Sequence, residues 1–267
     1  MRLIVTAHHE AGAPRIAEEI RQFGIERVVE GIPVDLRINP EQVCAELEKS
    51  GVTFLIPEDI DWPSQLNDLA VPPIGIFIKG NIETLSQHSL AIVGTRNPTP
   101  YGTRAAQEFA AGFVDREWAI VSGGAYGIDS AAHKGALIAE GATIAVTASG
   151  LDSLYPAGNQ RLFEEILENG AIISEYLPGV AARPHRFLVR NRLIAALSKA
   201  TLVVEAAFRS GSLRTARDAA ELARPVMAIP GPITAPTSEG CHRLIGERSA
   251  ELVTSIADAH ELVTSLA

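Results

Sequence analysis

Residues 90–129 read LAIVGTRNPTPYGTRAAQEFAAGFVDREWAIVSGGAYGID. Two short apolar runs, 90–93 and 119–121, enclose a segment, 102–115, whose apolar residues recur at helical spacing. A glycine-containing loop follows each apolar run. This order predicts a strand, a helix and a second strand parallel to the first, because a parallel connection needs a crossover long enough to hold a helix.

The same alternation continues along the rest of the chain. Further apolar runs rich in valine and isoleucine predict strands at 143–146, 171–173, 202–204 and 226–229. Segments with helical spacing predict helices at 128–140, 160–169, 190–198, 212–223 and 256–265. Continuous apolar strands are buried on both faces. We therefore expect the α/β class, with a Rossmann-like, doubly wound, mostly parallel sheet and helices on both faces.

The first part of the chain has a different pattern. Segments 14–24 and 40–50 each open with proline and carry apolar residues at helical spacing. Segments 52–56 and 76–78 read as strands, and the prolines over 57–75 predict an extended connector between them. A small, mostly helical N-terminal region is therefore expected in front of the sheet.

Composition indicates a globular protein with an uneven charge distribution. The 267 residues are 46% hydrophobic, which is enough for a packed core and excludes intrinsic disorder. The net charge of −9 argues against a uniformly basic nucleic-acid binder. Residues 1–80, however, hold seven Lys/Arg against thirteen Asp/Glu, whereas 183–224 hold nine against three. We expect a basic face on an acidic body.

The sequence gives no sign of a membrane span, a targeting segment or a metal site. No apolar run approaches the ~20 residues that cross a bilayer, and the first apolar stretch stops at His8, too soon for a signal peptide. A cytoplasmic protein is expected. Cys44 and Cys241 lie far apart and outside any CxxC motif, so neither a disulfide framework nor a zinc site is predicted.

Three loops that follow predicted strands are rich in glycine, serine and threonine. Ligands of parallel sheets bind beyond the carboxyl ends of the strands, where N–H groups at helix starts cradle anions. We expect a groove for phosphates at this edge, although each loop alone is also compatible with a plain tight turn. The candidate residues are Gly94, Thr95, Arg96, Ser122, Gly123, Gly124, Ala125, Ser210, Gly211 and Ser212.

A basic segment, 183–192, holds four arginines within ten residues. It fits either a solvated helix start or a track for a nucleic-acid backbone, and we favour the track. Aromatic candidates for base stacking near these loops are Tyr101, Tyr126, Tyr155, Phe163 and Phe208. The dinucleotide fingerprint GxGxxG and the phosphate loop GxxxxGK[ST] are both absent, as are HExxH and GxSxG. These absences argue against NAD and ATP binding.

Several ordered motifs resemble those of the DNA processing protein DprA (Smf) family, over about residues 57–255. They are Gly94-Thr95-Arg96, Ser122 to Asp129, Tyr155-Pro156, Arg190-Asn191-Arg192, Ser210-Gly211-Ser212-Leu213 and Pro230-Gly231. The resemblance implies three parts of the chain. These are a small, mostly helical N-terminal region over 1–56, an extended Rossmann-like domain over 57–255, and a C-terminal helix over 256–267 with no winged-helix domain.

The family resemblance also implies a function. It implies a homodimeric, non-catalytic mediator of recombination that binds single-stranded DNA and interacts with the RecA recombinase. Such a protein protects incoming strands and helps to load RecA during DNA-mediated transformation, with no cofactor, no metal and no membrane attachment.

The resemblance carries specific roles onto residues of this chain. Arg96 falls on the strand-binding arginine of the family, with Thr95 in place of the usual serine. The family's RNR motif falls on Arg190, Asn191 and Arg192. Gln160 stands where many members have a lysine, and Phe163 matches a position that lies against a base.

Two other functions remain open at the level of sequence. Rossmann-like folds include nucleoside-monophosphate phosphoribohydrolases resembling the LOG family, whose PGGxGTxxE motif has an echo here in Thr215 and Asp218. In such an enzyme Asp218 would be the catalytic carboxylate. A third possibility is a sensor of small nucleotides.

Overall fold

The computed structural model describes residues 1–265, and within this range nine strands form one sheet. The strands are β1 (Val52–Leu55), β2 (Ile76–Gly80), β3 (Ser89–Val93), β4 (Ala119–Ser122), β5 (Thr143–Val146), β6 (Ala171–Ser174), β7 (Ala200–Val203), β8 (Val226–Ala228) and β9 (Glu251–Leu252). Their order in space is β1-β2-β6-β5-β4-β3-β7-β8-β9. Strand β2 is antiparallel to both β1 and β6, and the remaining pairs are parallel.

Ten α-helices accompany the sheet within the described range. They are α1 (Arg2–His8), α2 (Pro14–Glu30), α3 (Pro40–Lys49), α4 (Pro100–Val114), α5 (Ile128–Ile138), α6 (Gln160–Asn169), α7 (Pro184–Leu197), α8 (Ser212–Glu221), α9 (Glu239–Gly246) and α10 (Ile256–Ser265). None of these helices combines the length and the apolar character that a membrane crossing requires.

Alternate residues of the central strands pack against opposite layers of helices. Leu90 and Ile92 of β3 lie in a core cluster with α4, α5 and α10. Ala91 and Val93 of the same strand lie in a second cluster with α7, α8 and α9. Each fully buried leucine or isoleucine stabilises the fold by about 1.5–3 kcal/mol. The predicted doubly wound, mostly parallel sheet with helices on both faces is thus confirmed.

The strand order reverses at β3. From β3 the chain moves outward through β4, β5 and β6 on one side, and β7 and β8 then continue on the other side. The loop after β3 leads to α4 on one face, whereas the loop after β7 leads to α8 on the opposite face. Because these two loops diverge, a crevice opens beyond the carboxyl ends of β3 and β7.

The N-terminal region is mainly helical, as predicted. Helices α1 and α2 share a small apolar cluster that includes Val5, Val28 and Val29. Strand β1 already belongs to the sheet, through its antiparallel pairing with β2. The division of the chain at residues 56 and 57 therefore stays a prediction, and Leu266 and Ala267 of the predicted C-terminal part lie outside the described residues.

Several boundaries differ from the prediction. Helix α7 begins at Pro184 rather than at residue 190, because proline at the first helical position is pre-set for the helix. Helix α2 extends to Glu30, across a kink at Gly24 where φ is 81°. The short elements α1, α9 and β9 were not predicted, since pieces of two to eight residues carry little periodic signal.

Candidate functional site

A cleft of about 690 Å³ lies at the strand reversal. Its walls come from the loops after β3 and β7, from the start of α5 and from the first half of α7. Nine of the fifteen predicted site residues line it: Gly94, Thr95, Arg96, Ala125, Arg190, Asn191, Ser210, Gly211 and Ser212. The predicted convergence of separate loops at one edge of the sheet is therefore observed for these nine.

Arg96 and Arg183 are the exposed cations among the described residues that line the cleft. Arg96 stands on the loop after β3. Its side chain is exposed, and among residues 1–265 it has neither a carboxylate partner nor a hydrogen-bond acceptor. The loop that carries it is fixed by main-chain bonds: the Thr95 N–H donates to the carbonyl of Glu205 (2.6 Å), and the Ile128 N–H donates to the carbonyl of Thr95 (3.1 Å). A fixed loop with a free guanidinium is suited to an external anion.

The amino end of α4 already holds an internal anion. The buried carboxylate of Glu205 accepts a hydrogen bond from the Thr99 N–H (2.8 Å) and another from the Thr99 hydroxyl (2.6 Å). This carboxylate satisfies the Thr99 N–H, at a helix start where such groups are otherwise left open. A phosphate at this edge must therefore bind on the Arg96 side of the loop rather than at the start of α4.

The glycine loop after β4 supports the cleft from beneath and lines it only at Ala125. Ser122 is fully buried and donates its hydroxyl hydrogen to the Ile92 carbonyl (2.7 Å). Gly123 leaves room for the guanidinium of Arg190, and Gly124 leaves room for the ring of Phe163. The predicted role in binding DNA is therefore corrected for Ser122, Gly123 and Gly124. These residues are buried below the cleft, and the two glycines provide space for side chains.

Gly127 is required by the loop that carries Arg96. Its φ of 85° and ψ of −126° suit glycine alone, and a Cβ would overlap the main chain of Thr95 and Arg96. We expect Gly127→Ala to lower the free energy of unfolding by about 1–3 kcal/mol in urea denaturation. Gly211→Ala is the matched control, since a Cβ there meets nothing within 4 Å. Equal stability of the two variants would contradict this role.

Arg190 forms the floor of the cleft. It is 4% exposed, and it donates to the Val146 carbonyl (2.6 Å). Burial lowers the pKa of Arg190 to about 10, a shift that Asp129 opposes and Arg96 adds to, so the guanidinium stays charged at neutral pH. Burial raises the pKa of Asp129, and the charge of Arg190 partly offsets this.

The lining of the cleft is positively charged on balance. Among the lining residues that the structure describes, three are arginines and one is a carboxylate. The arginines are Arg96, Arg183 and Arg190, and the carboxylate is Asp129. The cleft is therefore basic, as expected. The buried carboxylate of Asp129 at its floor does not cancel the positive charge of the three arginines.

The four arginines of the segment 183–192 have four different environments. Arg183 is exposed at the cleft, and Arg190 is buried in its floor. Arg186 is held by the carboxylate of Glu10. Arg192 donates to both carboxylate oxygens of the buried Glu175 (2.6 and 2.7 Å). The predicted basic track is corrected to two arginines at the cleft and two in ion pairs with Glu10 and Glu175.

Two single predictions are corrected by these positions, and a third stays a prediction. Arg192 lies outside the cleft lining and its guanidinium is used by Glu175. Phe163 is fully buried among core residues, so it presents no face to a base. Gln160 is exposed on α6, outside the cleft lining, and donates to Glu164 (3.0 Å), and its contact with a bound strand stays a prediction.

Sequence reasoning included Arg183 in the basic segment but did not single out Phe187 as a lining residue. Phe187, Arg190, Asn191 and Ile194 share one face of α7, at spacings of three and four residues. That spacing was a usable signal, but the later predicted start of the helix left Phe187 outside it.

Asp218, the carboxylate of the alternative enzyme hypothesis, lies away from the cleft. It is 4% exposed, is paired with Arg214 (2.7 Å) and borders a separate cavity beside Arg192. Thr215, from the same motif echo, does line the cleft. A carboxylate that acts on a nucleotide must reach it, and this one does not reach the cleft.

Comparison with known proteins gives consistent matches. The family profile described as DNA recombination-mediator protein A matches residues 53–264. The putative DNA processing protein DprA of Mycobacterium tuberculosis is 43% identical over 230 residues, covering 81% of this chain and 59% of that protein. The DNA processing protein DprA of Streptococcus pneumoniae is 43% identical over 206 residues, covering 77% of this chain and 72% of that protein.

Two solved structures share the fold and a substantial part of the sequence. The X-ray structure of DprA from Streptococcus pneumoniae has a TM-score of 0.79 and 36% identity, and the match covers 92% of each chain. The Helicobacter pylori DprA structure, described by its single-stranded DNA binding mode, has a TM-score of 0.72 and 31% identity, over 80% of this chain and 95% of that one. The present chain spans about three fifths of the length of the curated relatives from Mycobacterium tuberculosis and Synechocystis, 59% and 62%.

Proposed function

Because the chain belongs to the DNA recombination-mediator protein A family, we propose that its cleft binds single-stranded DNA and that the protein mediates recombination. The observation that carries this proposal is the cleft at the strand reversal, where Arg96 stands exposed on a fixed loop without an internal acceptor. A guanidinium in this state gains a charge-assisted hydrogen bond when a phosphate arrives.

The opposite wall of the cleft supports a phosphate ligand as well. Ser210, Gly211 and Ser212 form the loop that opens α8, and the hydroxyls of the two serines lie 2.7 Å apart. Gly211 is exposed, with nothing within 4 Å of the position of a Cβ. Backbone N–H groups at a helix start are donors for phosphate oxygens.

We propose that the bound strand is protected in this cleft and passed to a RecA-type recombinase, and that the protein acts as a homodimer in the cytoplasm during DNA-mediated transformation. The family membership supports the mediator role. Formation of RecA filaments on strands pre-coated by this protein tests it: shorter lag times with the protein support loading, and unchanged or longer ones overturn it.

A titration of single-stranded against duplex DNA tests the binding proposal. We expect tighter binding of a single strand of about 20 nucleotides than of the matching duplex, with an affinity that falls as salt rises, since phosphate contacts release counterions. The mass of the complex reports whether one or two protein chains bind. A protein that prefers mononucleotides in competition is a nucleotide sensor, and that result would overturn the proposal.

A further inference from the structure

Two aromatic side chains lie side by side in the cleft, next to Arg96, with their ring planes inclined at 59°. The ring of Tyr155 lies 5.5 Å from the ring of Phe187, between centroids, and the guanidinium carbon of Arg96 lies 5.4 Å from the Phe187 centroid. All three side chains line the cleft. Tyr155 is 49% exposed, so much of its ring is open to a ligand.

We propose that the exposed ring of Tyr155, supported by Phe187, stacks on the bases of unpaired nucleotides beside Arg96. This inference rests on the proposed function and names the part of the strand that the cleft recognises. An aromatic ring stacks on any base, whatever its identity, provided that the face of the base is uncovered. In a duplex, both faces of a base are covered by its neighbours. The pair therefore favours single strands without favouring a sequence.

The arrangement places a base and a phosphate within the span of one nucleotide. The guanidinium of Arg96 lies over the Phe187 ring, next to Tyr155, where a phosphate attached to a base stacked on Tyr155 would meet it. Phe187 also lies 5.9 Å from the guanidinium carbon of Arg190. Arg96 and Arg190 both make cation–π contacts with the Phe187 ring, which keep it in place before a ligand arrives, so the ring that is open to a base is that of Tyr155.

The other aromatic candidates are used elsewhere or lie outside the cleft. Phe163 is buried, and Tyr126 and Phe208 are exposed but are not part of the cleft lining. The Tyr101 hydroxyl donates to the carbonyl of Pro230 (2.9 Å), and this tyrosine is not part of the cleft lining. Tyr155 and Phe187 are thus the aromatic residues of the cleft lining within the described chain.

An abasic strand separates base stacking from phosphate binding. Fluorescence anisotropy compares labelled oligothymidylate of about 20 nucleotides with an abasic backbone of equal length. We expect the wild-type protein to bind the thymidylate at least about fivefold more tightly. Tyr155→Leu and Phe187→Leu should each weaken thymidylate binding by about fivefold or more, and leave binding of the abasic strand nearly unchanged.

Two further variants complete the test. Tyr155→Phe keeps the ring and should bind the thymidylate as the wild type does. Tyr101→Leu removes a tyrosine that is 50% exposed outside the cleft lining, and should also bind normally. Thermal unfolding of every variant checks that it is folded.

The outcomes distinguish this inference from the function on which it rests. Equal affinity of the wild-type protein for the two strands, or an equal loss on both strands in the leucine variants, would overturn base stacking while leaving strand binding through Arg96 intact. The comparison on the wild-type protein decides the point even where a leucine variant fails to fold. If no strand binds in an Arg96-dependent way, the proposed function itself is overturned.

Discussion

Replacing Arg192 by leucine is expected to lower the free energy of unfolding by about 3–5 kcal/mol at neutral pH, as measured by urea denaturation. The side chains of Arg192 and Glu175 are only 12% and 5% exposed, and the two are joined by two hydrogen bonds. Removal of the guanidinium leaves a buried carboxylate without its partner. The Arg192 N–H bond to the Val71 carbonyl (2.9 Å) is lost as well.

The loss of unfolding free energy in Arg192→Leu should depend on pH in a defined direction. Burial raises the pKa of Glu175, and Arg192 opposes this rise, so the pKa is higher still in the leucine variant. A carboxylate whose folded pKa is raised lowers stability above its unfolded pKa, since the unfolded chain then holds fewer protons. The deficit relative to the wild type should therefore be largest above neutral pH and shrink as the pH falls towards 4.5, the ordinary glutamate value.

A surface pair provides the control for this variant. Arg161 is 91% exposed and pairs with Glu165 on the same helix. Arg161→Leu should change the free energy of unfolding by less than about 0.5 kcal/mol. The folded Arg192→Leu protein should bind single-stranded DNA as the wild type does, because Arg192 lies outside the cleft lining. If the Arg192→Leu protein has normal stability but no longer binds single-stranded DNA, Arg192 contacts the DNA and its assignment to the internal ion pair alone is wrong.

Arg96→Ala is expected to weaken single-stranded DNA binding by about tenfold to a hundredfold, with little change in stability. Charge-assisted hydrogen bonds are worth about 1.5–3 kcal/mol, which corresponds to that range of affinity. The slope of log affinity against log salt concentration should also become shallower, by the amount that corresponds to about one lost phosphate contact. Anisotropy titrations at several salt concentrations give both quantities.

Arg116→Ala is the matched control for Arg96. Arg116 is exposed, lies between the end of α4 and the start of β4, and donates a hydrogen bond to the Gly112 carbonyl (2.6 Å), so thermal unfolding must show that its variant is folded. Because α4 runs back from the carboxyl edge of the sheet, this arginine lies at the opposite edge from the cleft. If the affinity falls equally in both variants, the loss reflects net charge alone. That result would contradict a specific contact between Arg96 and the strand.

The sheet was predictable from the sequence because its strands are continuous apolar runs. The segment 90–93 and its neighbours have no polar face, which indicates burial on both sides and hence helices on both faces. Strand order was not predictable in the same way. That β7 lies beside β3, creating the crevice, depends on contacts between residues about a hundred positions apart.

The candidate site was predictable where loops follow strands and less so along α7. Arg190 and Arg192 belong to one short motif, yet residues two apart on a helix point in nearly opposite directions. One therefore lies in the floor of the cleft and the other pairs with Glu175. The residues of a motif are visible in a sequence, but the side of the helix that each one occupies depends on where the helix begins.

The glycine loop shows a second limit of sequence reasoning. Gly123 and Gly124 look like an anion cradle, because glycine frees backbone N–H groups. In the structure they make room for the side chains of Arg190 and Phe163 instead. Both uses need a residue without a side chain, and the partner that approaches comes from a distant part of the chain.

Hydrogen–deuterium exchange of the wild-type protein, with and without saturating oligothymidylate, locates the bound strand directly. We expect slower exchange in the loops 94–99 and 207–213, which form the two walls of the cleft. Helix α2, in the N-terminal region, should exchange at an unchanged rate. Protection confined to surfaces outside the cleft, with both loops unchanged, would contradict the assignment of single-stranded DNA to this site.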